Sequence, residues 1–577
     1  VQLFCQRARR LNHEFSLSDA TKIAVGRICR LVEGMPLGLE LAAASIATLT
    51  CEQIAAQLER SLDTLATTMR DVPERHRSMQ AVFEHSWHLL AEAERRVFRQ
   101  LTVFQGSFTA QAARQVAQAS PKVLSTLIDK SLLRQDVSGR YEIHELLRQY
   151  AAEKLNGYPT EKQTALERYC EYYADFLHQK TAPLQAETLA EIGLEIENIR
   201  AGWQWAIDQA NLAALESCLE SLYLFYWARN WFDEGQQLFA QAEKLALAAG
   251  QKDSLLLAKI WTRQAEFDTW LSHYDQAGMR LQKSIQVCRA LQAQNELALA
   301  IELLGRVHYW QGEYASAKEH FEQSLALYRQ TSNKAGLAQA LNNLANVICD
   351  LLADYGQAQA LYEESLALAR QIGDRFGVAR ALINQGAVAQ ELGDCAHAQQ
   401  LYRESLEVYR ELDYRYGQSA ALNYLGQVAS LLGEHVAAMA FLQQSFDLSQ
   451  ETGDRHSMAN CRQQLGNVAC RMGAYPEAKA HFAEALSLAM EIRAFQMALD
   501  ILIGVARLLK QQGKKVRALE LLAFVAHQSA GSQERKNRAL ALLPECEAGL
   551  SPQEVTRCKE RGQNQMLAEV VATVLNE

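Results

Sequence analysis

Proline is scarce in this chain, with eight in 577 residues. With the main helix breaker so rare and Ala, Leu, Glu and Gln abundant, the sequence predicts an almost entirely helical protein. Long apolar runs are missing too. No stretch approaches the roughly 20 residues that a bilayer-spanning helix needs, so no membrane partner is expected. The twelve cysteines stand singly, with no Cys-x-x-Cys pair and no Cys/His cluster at ligand spacing. That pattern excludes a thiolate metal site and fits reduced, core-filling thiols in a cytoplasmic protein. Positive charge is not in excess. The formal net charge of −9 argues against a general nucleic-acid or membrane surface.

Chemistry-bearing motifs are also missing. There is no Gly-x-x-x-x-Gly-Lys-Ser/Thr phosphate loop and no acidic strand end to hold magnesium. Gly513-Lys514-Lys515 lacks the first glycine and falls in a helical pattern. Without backbone N–H groups to cradle phosphates, the chain alone is expected to hold neither ADP nor ATP and to hydrolyse neither. No nucleophile–base or carboxylate pair stands out. No catalytic residue and no metal ligand is therefore assigned, and the chain is not expected to be an enzyme. It shows no signal peptide and no initiator Met, and Val1 begins inside what reads as an amphipathic helix. The expectation is a fragment of a longer protein.

What is present is a repeat. From about residue 221, Ala277, Ala317, Ala358, Ala398, Ala438, Ala478 and Ala518 recur every 40 or 41 residues. Ser284, Ser324, Ser365, Ser405 and Ser445 follow seven positions behind five of them. Gly305, Gly386, Gly426 and Gly466 share one register in the preceding helix, and Gly312, Gly393, Gly433, Gly473 and Gly513 mark the turn. Closely crossing helices need a small residue at the contact, and a short turn between them favours Gly. A fixed period of this length implies an α-solenoid of stacked helix pairs over 221–527, seven in register with a looser one around 221–250. The pattern resembles tetratricopeptide repeats in a long form.

Such arrays present the first helix of each pair on the concave side. There the sequence is rich in amides: Asn342, Asn343 and Asn346; Asn384 and Gln385; Asn423, Tyr424 and Gln427; Gln463, Gln464 and Asn467. Asn is a poor helix former and still recurs. An amide ladder suits the backbone of an extended peptide, or a polar small-molecule effector. No Lys or Arg lies among these positions, which argues against a clamp for acidic C-termini.

Ahead of the array, residues 1–70 read as a helical subdomain interrupted at Gly34-Met-Pro-Leu37, where Gly ends one helix and Pro starts the next. Residues 71–157 read as three helices and a two-stranded wing with Gly139 in its turn, a winged helix. Lys122 and Lys130 are set against Asp129, and Arg134 and Arg140 against Asp136 and Glu142. This balance does not make a phosphate-binding face, so direct DNA binding is not expected. Residues 158–220 form an aromatic-rich helical connector carrying Glu195-x-Glu-Asn-x-Arg200, its aromatics read as core. Residues 528–577 read as capping helices, with Ser551-Pro-Gln-Glu554 a capping box opening a last helix through Val574.

The Gly34-x-Pro36 turn, the winged helix and Ile143-His144-Glu145 occur in the order and at about the distances seen in STAND-class signalling ATPases, which the N-terminal part resembles. These include bacterial regulators similar to the maltose and antibiotic-biosynthesis activators. The resemblance implies that Pro36 contacts the adenine and that His144 reaches the β-phosphate of ADP, holding a closed state. Both roles require an upstream nucleotide-binding domain. Glu145 departs from the family's Asp, and its expected role is to cap the following helix. The implied function is the sensor part of a switch in transcriptional regulation, its repeats binding an effector, protein or peptide, with oligomerisation possible on activation. The alternative is a stand-alone repeat adaptor for protein–protein interaction.

Overall fold

The computed structural model describes residues 1–11, 15, 17, 19–32, 39, 42–43, 45–47, 49–58, 79–180, 186–492, 494–528 and 533–576. They are helical nearly throughout. The β-structure among them is one two-stranded hairpin and one isolated bridge, matching the all-α composition. No helix among them is long and apolar enough to cross a membrane. The chain divides into two compact units, Val1–Leu222 and Tyr223–Glu577.

In the first unit, helices Glu92–Leu101, Ala110–Ala117 and Pro121–Asp129 lead into the hairpin, Arg134–Gln135 paired antiparallel with Tyr141–Glu142. Thr109 and Ser120 cap the second and third of these helices, and Pro121 sits in the first turn, where its missing N–H costs nothing. Gly139 takes the left-handed φ of +83° that the hairpin turn demands, and the Asp136 carboxylate accepts the N–H groups of Ser138 and Arg140 at 2.9 Å each. Helices Glu145–Asn156, Pro159–His178 and Ala186–Asp208 follow. Phe104 packs on Phe108 at 4.2 Å and on Tyr169 at 5.4 Å, and Tyr169, Tyr173 and Trp203 are fully buried. The connector aromatics are thus largely core, with Tyr172, Phe176 and Trp205 half-buried.

The Glu-x-Glu-Asn-x-Arg pattern ties the hairpin to the helix Ala186–Asp208. Glu195 pairs with Arg140 at 2.6 Å and accepts the Tyr173 hydroxyl at 2.8 Å. Asn198 accepts the Gln105 N–H at 2.9 Å and donates to the Ser107 carbonyl at 3.0 Å. Lys130 is held in turn by Glu94 and the Leu89 carbonyl. Two of the cations weighed as a DNA-contacting face are therefore engaged within the unit.

The second unit is a run of paired helices, from Phe232–Ala248 with the end of Leu212–Ala228 through Phe495–Gln511 with Lys515–His527. The repeated residues have physical jobs. All seven period alanines are fully buried. Ser284, Ser365, Ser405 and Ser445 donate across the pair to the carbonyls of Ala258, Ala338, Ala379 and Ser419 at 2.7–3.0 Å, stapling second helix to first. Ser324 instead bonds back to Phe321 in its own helix. A Cβ on Gly386 would lie 2.6 Å from the Tyr402 ring, and one on Gly466 2.7 Å from Phe482, so the crossing glycines permit the approach of the second helix. The turn glycines Gly312, Gly393, Gly433, Gly473 and Gly513 have φ between +76° and +84°.

At the end of the unit, Val570, Val571 and Val574 join the apolar cluster of Leu519 and Phe524. Ser551 and Glu554 form the expected capping box. The last helix is not continuous: it breaks after Gln563 and resumes at Leu567.

Candidate functional site

His144 directly follows the hairpin and is the N-cap of helix Glu145–Asn156. Its Nδ1 accepts the Leu146 N–H at 3.2 Å, and the residue is 4% exposed. A nitrogen that accepts carries no proton, so in the neutral ring the proton sits on Nε2, which becomes a donor. The cap expected of Glu145 belongs to His144 instead. Glu145 is drawn along the helix, accepting Arg148 at 2.8 and 2.9 Å and Gln149 at 2.9 Å. Burial would raise the Glu145 pKa, but these bonds outweigh it and hold the carboxylate below its ordinary range. Pro36 lies outside the described residues.

Among the described residues of the second unit the first helices of successive pairs touch one another, whereas the second helices of successive pairs make no comparable contacts. The first helices therefore line the tighter, inner side. Across it, Trp227 stacks on Tyr414 at 5.7 Å and meets Phe376 at 6.1 Å, while Trp270 meets Tyr416 at 5.8 Å. Helices far apart in sequence thus close over the inner face.

The amides chosen from sequence lie on these first helices, but most are bonded within the array. Asn384 donates to Asn342 at 3.0 Å, Gln427 to Asn423 at 2.7 Å and Asn467 to Gln464 at 3.1 Å. Tyr362 donates to Asn346, and Asn343 to Glu302 at 2.9 Å. Tyr424 stacks on Tyr402 at 5.1 Å. Asn342, Asn423 and Gln463 are buried, and Asn343, Asn346, Asn384, Gln385, Tyr424, Gln427, Gln464 and Asn467 are half-exposed. The ladder is thus bonded within its own helices and pairs, and between repeats at Asn342–Asn384 and Asn343–Glu302, and its half-exposed members edge the inner face.

Sequence reasoning missed the charged half of this face. Arg306 pairs with Glu266 at 2.6 Å, and Arg263 with Glu296 at 2.9 Å. Glu302 is wholly buried, accepts Tyr328 at 3.0 Å, and is pushed up to about 7 by burial, with Arg306 opposing. Glu302 and Asn342 share one register, as do Arg306 and Asn346. Following each amide column one repeat upstream would have found these charges.

Three segments of the chain, 256–330, 336–411 and 417–491, match the tetratricopeptide repeat family model. The chain's fold is that of a Pyrococcus horikoshii Signal Transduction ATPase with Numerous Domains (STAND) protein with a tetratricopeptide repeat sensor. The TM-score is 0.51 at 13% identity, over 97% of this chain and 74% of that one. A Mycobacterium tuberculosis protein provisionally named an HTH-type transcriptional regulator is 27% identical over 364 residues, 59% of this chain and 40% of its own length. The regulatory protein AfsR of Streptomyces coelicolor is 25% identical over 355 residues, 54% of this chain and 34% of its own. The chain spans about two fifths or less of the length of these curated relatives. The repeats are tetratricopeptide repeats, the fold is shared with a STAND protein, and these relatives are named as regulators.

Proposed function

We propose that this chain is the sensor and regulatory part of a STAND-type switch in transcriptional regulation. The hairpin-bearing module is its winged helix, and the repeats take a protein or peptide partner, or a small-molecule effector. The observation that carries this reading is His144: the N-cap bond fixes its proton on Nε2, as donation to a phosphate oxygen requires. The half-exposed amides that edge the inner face support partner binding. Partner binding to the array would shift the population away from the ADP-held form. Nucleotide affinity would come from a phosphate loop outside this sequence, and this chain by itself would not hydrolyse ATP.

The test is calorimetry of ADP on a version extended upstream through a phosphate loop. His144→Ala should weaken binding by about tenfold or more, the scale of a lost hydrogen bond to a charged group. His144→Asp keeps a side-chain acceptor for the helix cap and sets a negative charge against phosphate, so it should weaken ADP without loss of thermal stability. ADP affinity indifferent to both changes removes the switch reading and leaves the repeat adaptor.

A further inference from the structure

Among the buried hydrogen-bond donors of the second unit that lack an acceptor are Trp227 Nε1, Arg380 Nε and Asn342 Nδ2. They follow one line. Helix Arg375–Glu391 presents Phe376, Arg380 and Asn384 four residues apart, one stripe of its surface. At one end of the stripe Phe376 meets Trp227, whose ring lies flat on Tyr414. At the other end Asn384 occupies the Asn342 oxygen at 3.0 Å, leaving the Asn342 NH2 unpaired although the residue is 1% exposed. Arg380 stands between them, close enough for its charge to act on Glu302 and Tyr414. It has no hydrogen bond or ion pair among the described residues. Glu302 makes no ion pair with it, its carboxylate oxygens accepting from Tyr328 and Asn343 instead.

An orphaned buried donor costs stability, so three along one stripe mark a place that acceptors fit. Eight residues of helix cover about 12 Å, the reach of about four residues of extended chain. We propose that this stripe binds an extended acidic peptide segment. An Asp or Glu carboxylate pairs with Arg380, and flanking backbone carbonyls accept from Trp227 Nε1 and Asn342 Nδ2. One guanidinium beside Glu302, which itself feels Glu266, suits a single negative charge and opposes a dianion. The ring wall of Trp227, Phe376 and Tyr414 lowers the local dielectric and strengthens the pair. The absence of basic residues among the amide positions is thus no objection, because the cation lies one turn before Asn384. The proposal rests on the partner-binding reading of the repeats and gives the partner its chemistry.

The experiment is selection of a random heptapeptide phage library on the full chain, followed by fluorescence anisotropy of the selected peptides. The expected result is an acidic residue enriched at one fixed position. Changing that residue from Asp to Asn in the peptide should weaken binding by about tenfold or more, an arm that leaves the protein untouched. Arg380→Gln should weaken the acidic peptide equally and make the two peptides indistinguishable. Trp227→Phe, which keeps the ring and drops the N–H, should weaken both several-fold. Peptides selected without an acidic position, or bound equally by Arg380→Gln, overturn the proposal and leave a peptide-binding array. Selection of no peptide overturns the proposal together with peptide binding by the repeats.

Discussion

Arg140 of the hairpin and Glu195 of helix Ala186–Asp208 pair at 2.6 Å, with side-chain exposures of 11% and 6%. Both are nearly withdrawn from water, and each would be a buried uncompensated charge without the other. The hairpin is thereby fixed to the helix by a bond that is strong only while both partners remain.

Removing both partners should therefore cost less than the two single losses added together. Arg140→Ala or Glu195→Ala is expected to destabilise the first unit by about 3–5 kcal/mol, and the double variant by less than the sum. Urea unfolding gives the energies, and hydrogen exchange at the Phe108 and Tyr141 amides reports the hairpin. Additive losses would show that the two residues act independently.

Glu302 makes stability pH-dependent. Burial pushes its pKa up to about 7, against an ordinary value of 4.5. Between those values the unfolded chain has lost the proton that the folded chain retains, so stability falls as pH rises through this window and levels off above it. Glu302→Gln mimics the protonated form. It should match the wild type near pH 4.5 and exceed it at pH 8 by roughly 3 kcal/mol, since each tenfold difference in proton affinity is worth about 1.4 kcal/mol. Thermal melts at the two pH values check this, and an equal effect at both would place the Glu302 pKa outside the window.

Gln264 is fully buried with both amide atoms unpaired. Leu304, Leu344, Leu425 and Leu465 hold the same repeat position. Gln264→Leu should stabilise the second unit by about 1–3 kcal/mol, the cost of leaving buried polar atoms unsatisfied. A lower melting temperature would mean that the amide is satisfied by water.

Gly386→Ala should do the opposite. Its Cβ would fall 2.6 Å from the Tyr402 ring, so helix or ring must move, at a cost of about 1–3 kcal/mol. Denaturant melts compared with Gly312→Ala, whose Cβ meets nothing but whose φ is +81°, separate crowding from backbone strain.

The period was legible because one contact recurs: a buried Ala, a crossing Gly and a stapling Ser imprint every 40 or 41 residues. The hairpin turn was legible from Gly139 and the capping box from Ser551 and Glu554, since both are local. The roles of single polar residues were less so. His144 rather than Glu145 caps its helix because Arg148, one turn on, offers the longer carboxylate a better partner. The break before Leu567 carried no proline to announce it. The amides looked like free ligands because a period shows which face a residue occupies, not which neighbour it bonds. Arg380 escaped notice because Glu302 and Tyr414, on which its charge acts, are far from it along the chain.

A row of helix pairs that touch only their neighbours stretches like a spring, each joint yielding on its own. The stack of Trp227 on Tyr414 changes that mechanics. It fastens the opening of the coil to a point well along it, so tension between those points loads the ring contact before any single joint opens. The array is expected to resist extension up to a threshold and then lengthen in one step. It should also assemble late, because the two rings can meet only after the pairs between them have formed.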